Sequence, residues 1–313
     1  MIRKIAKILK NKAKRIHRWI GEFSYRRFPY IYARYVYWVN TEKKLSYSNP
    51  EDVNEKLFWL HRYWQNPLII KCADKLGMRE YVRDCGLEHL LTTIYEIYDS
   101  ADKIVIDSLP NTFVLKCNHG SGFNIICKDK KSLDIECCKS QISLWLRTIY
   151  GLETAEYQYQ YIIPYAFSEE YIGDENDERL EIQFFCFNGY ANHILVRNDL
   201  GDAAKNSFAI SYNKNWQRVK ERRDEDMTIN IPRPSNLDEL IEYAERLAKP
   251  FPHVRVDFIL VGDRVYIGEL TFTTHGNILS NYTDETLKKW GQELVLPKKL
   301  RIKWRNNYNH KDK

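Results

Sequence analysis

At 313 residues, with 44% hydrophobic and 14% aromatic residues, the chain can bury the core of one large domain or of two to three smaller ones. A charged fraction of 29%, no uncharged apolar run near the roughly 18–20 residues of a spanning helix, and Lys and Arg interrupting every apolar run near the start exclude an integral helical membrane protein and a secretory leader. The net charge of +6 is uneven: eleven Lys and Arg but one acid, Glu22, fall within residues 1–35, and the remainder is mildly acidic.

Residues 1–24 read as a basic amphipathic helix, with Ile2, Ile5, Leu9, Ile16, Ile20 and Phe23 at helical spacing and Lys12 interrupting the stripe. An aromatic cluster follows: Tyr25, Phe28, Tyr30, Tyr32, Tyr35, Tyr37 and Trp38. Two readings stand for this arm, residues 1–40. It lies on an anionic membrane surface, where each Lys or Arg contributes about 1 kcal/mol, or it packs its stripe on the protein's own body. No RNA- or DNA-binding motif accompanies the charge, so no nucleic-acid partner is expected.

Leu57, Leu60 and Trp64 place a helix over 54–64, and a second over 68–84 carries Lys71, Lys75 and Arg79. A strand at 91–97 precedes a helix or loop ending at Pro110. Strands at 112–117 and 124–127 flank the loop His119-Gly-Ser-Gly122. Residues 132–149 form a helix with Ile135, Ile142, Leu144 and Leu146 among its apolar positions. Strands at 181–187, 191–197 and 207–212 come next, the first two joined by the hairpin signal Asn188-Gly189. Residues 213–235 are polar and read as a surface loop. Ser235 with Asp238 opens a helix to Lys249. A hairpin over 253–261 and 264–271, a short helix after Thr283 and a basic tail from Lys298 complete the chain. The seven cysteines, at irregular spacing and without a CxxC pair, form neither a disulfide framework nor a zinc site and suit a reducing cytoplasm. Cys117 and Cys186 read as small core residues.

The late hairpin, HVRVDFILVGDRVYIGELTF, carries two acids. A three-residue connection (Gly262, Asp263, Arg264) pairs Asp257 with Glu269, Arg255 with Thr271 and Ile259 with Ile267 on one face. Val254, Val256, Phe258, Leu260, Tyr266, Gly268 and Leu270 then form the core face. A plain two-residue turn would send the two acids to opposite faces. A shared metal therefore demands an odd loop or a bulge, with Asp263 as the left-handed position. Opposed carboxylates repel unless a cation lies between them. The alternative is a solvated hairpin face.

In FVLKCNHGSGFNIIC, Lys116 ends an apolar strand before a loop containing Gly120 and Gly122. Such glycines let backbone N–H groups approach phosphate oxygens, and they suit a plain hairpin equally well. The segment is neither a Walker A loop nor GxGxxG. Taken in order, NEKLFWL, ADKLGMREYV, VLKCNHGSGFNIICKDK, SEEYI, FFCFNGY and VRVDFILVGDRVYIGELTF, over roughly residues 51–292, resemble the TupA-like family of the ATP-grasp superfamily. That family is associated with teichuronopeptide and capsule synthesis. The hairpin is also similar to that of D-alanine–D-alanine ligases.

The resemblance implies an α+β ATP-grasp fold, two α+β lobes sandwiching ATP behind the basic N-terminal helix. The implied layout is an arm at 1–40, an N-terminal region at 41–110, a first lobe with the Gly-rich loop at 111–170, a second lobe with the metal hairpin at 171–295 and a basic tail at 296–313. The implied cofactors are ATP and Mg2+. Lys75 and Lys116 would hold the phosphates and serve catalysis. His119, Gly120, Ser121, Gly122 and Asn124 would form the loop closing over them. Glu169, Glu170 and Ile172 would line the adenine edge, and Glu181 would reach the ribose. Arg255 would stabilise the acyl phosphate or the tetrahedral intermediate, and Asp257, Glu269 and Thr271 would bind metal. Thr271 stands where many superfamily members carry Asn, and a hydroxyl is a poorer magnesium ligand than an amide carbonyl; Asn277 is an alternative donor.

The implied activity is carboxylate–amine ligation through an acyl phosphate, with positioning and electrostatics carrying the catalysis. The implied partners are a carboxylate-bearing glycan or sugar nucleotide, such as a uronic acid, and an amine such as an amino acid. The expected location is the cytoplasm, on the inner face of the cytoplasmic membrane if the arm anchors there. Three rival classes are a sugar phosphotransferase using the same ATP site, a glycosyltransferase and a non-catalytic nucleotide-binding scaffold. For a glycosyltransferase, Asp174-Glu-Asn-Asp177 and Asp224-Glu-Asp226 are the nearest acidic clusters.

Overall fold

The computed structural model describes residues 21–173, 179–198 and 207–300. Residues 1–20, the basic tail from 301 and the Asp174–Asp177 cluster lie outside the described residues. Residues 21–27 are helical and lead into α1 (Pro29–Thr41), which starts on a proline. Tyr25, Ala33, Val36 and Tyr37 bury against Phe58, Ala155 and Tyr157, so the described part of the arm docks on the body. Its other face leaves Phe28, Ile31, Tyr35, Trp38 and Val39 exposed.

α2 (Val53–Tyr63) is capped by Asp52, which accepts the Glu55 N–H at 2.9 Å. The single helix expected over 68–84 is two. α3 (Pro67–Ala73) ends where Asp74 turns extended, and the Asp74 carboxylate accepts the Leu76 N–H at 2.9 Å to start α4 (Lys75–Asp84). An aspartate that satisfies an orphan N–H competes with the continuous helix.

One sheet has the order β1 (Ile94–Tyr98), β4 (Ala166–Glu169), β2 (Phe113–Cys117), β3 (Asn124–Cys127), all antiparallel. It packs Phe113, Leu115 and Tyr98 with Ile142 of α5 (Ile135–Leu146). Of that helix's expected apolar positions, Ile135 and Leu144 are exposed, because the stripe is narrower than the run of apolar residues.

The second sheet has the order β7 (Ala209–Tyr212), β6 (Tyr190–Arg197), β5 (Leu180–Phe187), β8 (His253–Val261), β9 (Arg264–Thr271). Period-two alternation sends Ile182, Phe184, Val254, Val256 and Phe258 onto α6 (Leu237–Ala248) and α4. Each such fully buried side chain contributes roughly 1.5–3 kcal/mol. On the opposite face Phe185 and Phe187 pack on Trp290 of α7 (Asp284–Glu293), while Gln183, Arg255 and Asp257 lie farther along. Asn236, not Ser235, stands at the N-cap position of α6, without a side-chain capping bond. Residues 213–235 are not a free surface loop: Glu221, Arg222 and Glu225 are buried, and Glu225 accepts the Ser211, Glu221 and Arg222 N–H groups.

The hairpin register departs from the expected one in an informative way. Arg255, Val256 and Asp257 pair with Thr271, Leu270 and Glu269 as expected, but Phe258 pairs with Ile267, and a bulge separates the two registers. The turn is therefore two residues, Gly262 and Asp263, with Gly262, not Asp263, left-handed at φ 58°. Beyond the bulge the faces exchange: Ile259 pairs with Tyr266, and Ile267 is 6% exposed in the core.

Candidate active site

A cavity of about 590 Å³ lies between the two sheets. From the first sheet, Lys116, one residue before the end of β2, pairs its Nζ with Glu169 Oε1, whose other oxygen accepts Thr92 Oγ1 at 2.8 Å. The helix break at Asp74 puts Lys75 in the first turn of α4, where its Nζ donates to the Gly120 carbonyl. Asn118, fully buried, braces this corner through Asp74 Oδ1 at 2.8 Å, the Ile163 carbonyl at 2.9 Å and the Tyr165 N–H at 2.8 Å. Burial and the neighbouring Lys116 hold the Lys75 pKa below its ordinary value, against the pull of Glu269.

The glycine loop is clamped by rings. Phe123 stacks on Trp145 at 5.3 Å and meets Tyr150 edge-on at 5.6 Å. A Cβ on Gly120 would lie 2.8 Å from both Phe123 and Tyr150, whereas Gly122 needs its φ of 73° and has open space around it. Ser121, Gly122 and Asn124 line the cleft. His119 does not: it is 2% exposed, with Nε2 3.1 Å from the Trp145 carbonyl oxygen, and burial pushes its pKa down to about 4. Gly120 reaches the site through its carbonyl. Glu169, Glu170 and Ile172 line the cavity beside Val114 and Ile126.

From the second sheet come Arg255, Glu269, Thr271 and Glu181. Arg255 Nη2 donates to Glu269 Oε1 at 2.9 Å and to Thr271 Oγ1 at 3.2 Å, and Thr271 Oγ1 donates to the same Glu269 oxygen at 2.8 Å. Asp257 is 1% exposed beneath the Arg255 guanidinium. Burial acts to raise its pKa, and the Arg255 guanidinium pulls the other way. Burial also acts to raise Glu269, but Lys75 and Arg255 outweigh it and lower its pKa. Glu181 accepts Gln183 Nε2 at 3.0 Å and lies 3.7 Å from Arg197 Nε.

Magnesium is commonly held by one or two carboxylates, waters and substrate phosphates. Asp257, Glu269 and Thr271 Oγ1 supply such a set of hard oxygens on one face. Among the described residues no group of three or more His, Cys, Asp or Glu could hold a metal ion. The donors therefore fit a cation arriving with phosphate oxygens, and the Arg255 guanidinium uses the same carboxylates. Asn277 is fully buried outside the cleft lining, with neither side-chain atom partnered among the described residues.

Residues 55–295 match the model of the TupA-like ATP-grasp family. The chain belongs to this family. No curated protein matches it. Among solved structures it is similar to D-alanine–D-alanine ligase from Bacillus anthracis complexed with ATP, at 16% identity and TM-score 0.41, over 64% of this chain and 55% of that one. It is also similar to the ATP-grasp ligase PsnB complexed with minimal precursor, Mg and ADP, at 13% identity and TM-score 0.37, over 70% of this chain and 57% of that one. D-cycloserine synthetase DcsG gives 12% identity and TM-score 0.41 over 73% and 71%. The chain thus spans a little over half the length of the first two.

Several cleft residues of this TupA-like ATP-grasp protein escaped sequence reasoning. Thr273 follows Thr271 by two and continues the period-two spacing past the end of β9. Thr154 and Glu156 come from an irregular stretch with no periodicity, and Tyr159 from the short 3-10 helix that follows it, Tyr157–Tyr161. His275 lines the cleft from a left-handed position, φ 49°.

Proposed function

We propose that the protein is an ATP- and Mg2+-dependent carboxylate–amine ligase acting in the cleft between the sheets. The observation that carries this reading is the convergence of Lys75, Lys116, Arg255 and Glu269, drawn from α4, β2, β8 and β9, around one cavity, with Asp257 buried beneath Arg255 and outside the lining. When bound, magnesium–ATP supplies the phosphoryl group that activates a substrate carboxylate. Lys75 and Lys116 neutralise the phosphates, with the Ser121–Asn124 backbone over them. Glu169, Glu170 and Ile172 form the base edge, and Glu181 takes the ribose. Asp257 and Glu269, assisted by Thr271, hold the cation. Arg255, released from the carboxylates, stabilises oxyanion charge. The layout at 1–40, 41–110, 111–170, 171–295 and 296–313 accompanies this reading.

The carboxylate belongs to a uronic acid on a capsule or cell-surface polysaccharide or its precursor, and the acceptor is an amine such as an amino acid. The family's association with envelope polymers supports this choice. The arm rests on the inner face of the cytoplasmic membrane; exposed Phe23 and Trp38 beside Arg26, Arg27 and Arg34 support it. No helix among the described residues is long and apolar enough to cross a membrane.

Calorimetric titration of ATP with Mg2+, then phosphate release across a panel of uronates and amino acids, tests the reading. Amide formation with release of ADP and phosphate is the expected result. A phosphorylated sugar overturns it in favour of a phosphotransferase, and UDP-sugar binding without ATP binding in favour of a glycosyltransferase.

A further inference from the structure

A second cavity, about 1210 Å³, lies between α1 and residues 148–156 and abuts the cleft, since Phe123, Tyr150, Thr154 and Glu156 line both. Its walls are apolar and aromatic, with Tyr32, Tyr35 and Val36 facing Ile149 and Leu152. Its described lining contains no Lys, Arg or His; the charged residues are Glu153, which is exposed, and Glu156, which is buried.

Glu156 is 6% exposed, at the junction of the two cavities. Thr154 donates its hydroxyl to Oε2 and Thr273 donates to Oε1, and Gln158 Nε2 donates to the Thr273 hydroxyl at 2.7 Å. The Tyr25 hydroxyl donates to the Glu156 carbonyl at 2.9 Å and fixes the backbone. No described cation forms an ion pair with the carboxylate, and burial and Glu269 both push its pKa up. Two hydroxyl donors leave about half of a carboxylate's four lone-pair sites unused. A buried carboxylate without a countercharge is costly unless a proton or cation joins it. The cations Lys75, Lys116 and Arg255 stand elsewhere in the cleft, so it has an anionic pole at Glu156 suited to an ammonium group.

We propose that Glu156 seats the ammonium group of the acceptor and that the adjoining groove holds the acceptor's apolar or aromatic body, an inference that rests on the ligase reading. In the ligation Glu156 takes one proton from the bound ammonium. The free amine attacks the acyl carbon, the C–N bond forms as the C–O bond to phosphate breaks, and phosphate leaves with that electron pair and the amine's second proton.

The test needs no ATP. Three probes, 4-phenylbutylamine, 4-phenylbutan-1-ol and 4-phenylbutyrate, are titrated calorimetrically into the full chain, E156Q and L152W. The amine is expected to bind about ten- to hundredfold tighter than the alcohol, as a hydrogen bond to a charged group provides, and the carboxylate weakest. E156Q should erase the amine–alcohol difference, and L152W, which fills the groove, should weaken both ligands about tenfold or more. Equal binding of amine and alcohol, preference for the carboxylate, binding of none, an amine preference that survives E156Q, or full affinity in L152W would each overturn the proposal. If E156Q fails to fold by circular dichroism, the probe order on the full chain and L152W decides. Binding of magnesium–ATP, measured separately, reports on the ligase reading: a protein that binds it but ignores the amine loses only this seat.

Discussion

Arg255 holds Asp257 with two nitrogens, Nε 2.7 Å from Oδ1 and Nη2 2.6 Å from Oδ2, and with Nη2 it reaches across to Glu269 at 2.9 Å. One guanidinium thus bridges two carboxylates that would otherwise repel on neighbouring strands. Arg255→Met leaves Asp257 buried without its partner and should cost about 3–5 kcal/mol in urea unfolding. The double variant R255M/D257L should regain most of that loss while magnesium–ATP binding is abolished. A single variant as stable as the natural chain would show that the pair does not brace the hairpin.

Gly120 and Gly122 should separate clash from strain. Gly120→Ala drives a methyl to 2.8 Å from Phe123 and Tyr150 and should cost about 1–3 kcal/mol as overpacking, with a large fall in ATP affinity. Gly122→Ala meets no atom within 4 Å and should cost only the left-handed backbone, about 1–2 kcal/mol. Melting curves and ATP titrations of the two variants make the comparison; equal ATP affinity in both would remove the loop from the phosphate site.

Asp74 poses Lys75. Asp74→Ala removes the cap of α4 and the bond from Asn118, and should cost about 1–2 kcal/mol. ATP affinity should fall along with stability, because the chain would no longer turn at Lys75. Asp74→Asn keeps a capping oxygen and should restore most of both. Normal ATP binding by the alanine variant would mean that Lys75 finds the cleft unaided.

His193 ties β6 to the helix at 284–293. Burial alone would lower its pKa, but Glu221, 2.8 Å from Nδ1, and Glu293, 2.7 Å from Nε2, outweigh burial and raise it. A raised histidine contributes stability in full below its unfolded value of about 6.5 and loses it as pH climbs through the folded value. Glu293, lowered mainly by His193 against burial, limits the window on the acid side, where its contribution fades as pH falls below its ordinary 4.5. His193→Asn should therefore cost about 3 kcal/mol at pH 6 and much less at pH 9. Melting temperatures of both proteins across that range check it; a constant difference would mean that His193 is neutral in the fold.

The period-two alternation of the late hairpin made Arg255, Asp257 and Glu269 legible as one face, and the apolar strand before Lys116 placed that lysine beside its glycine loop. Local spacing failed where distant residues decide. Lys71, Lys75 and Arg79 fit a continuous helix, and the break between them depends on Asn118, which bonds Asp74 from the neighbouring strand end. Alternation gives face but not turn length, so it left an odd loop and a bulge as alternatives, and the exchange of Ile267 for Tyr266 beyond the bulge was not legible. Glu156 lies in an irregular stretch, and only the packing of Tyr25 and Thr273 around it makes it a cleft residue.

The bulge between Asp257 and Phe258 also divides the hairpin mechanically. Gly268 sits at the shift, where a Cβ would press to 3.3 Å from the Asp257 carbonyl oxygen. Inward of it, the pairing is tied to the acids; outward, the strands run in a different phase to an exposed tip at Gly262, Asp263 and Arg264. Changes in tip length are absorbed before they reach the acids. That makes the tip a graft point for an epitope or a dye, separated from the acids by the change of register.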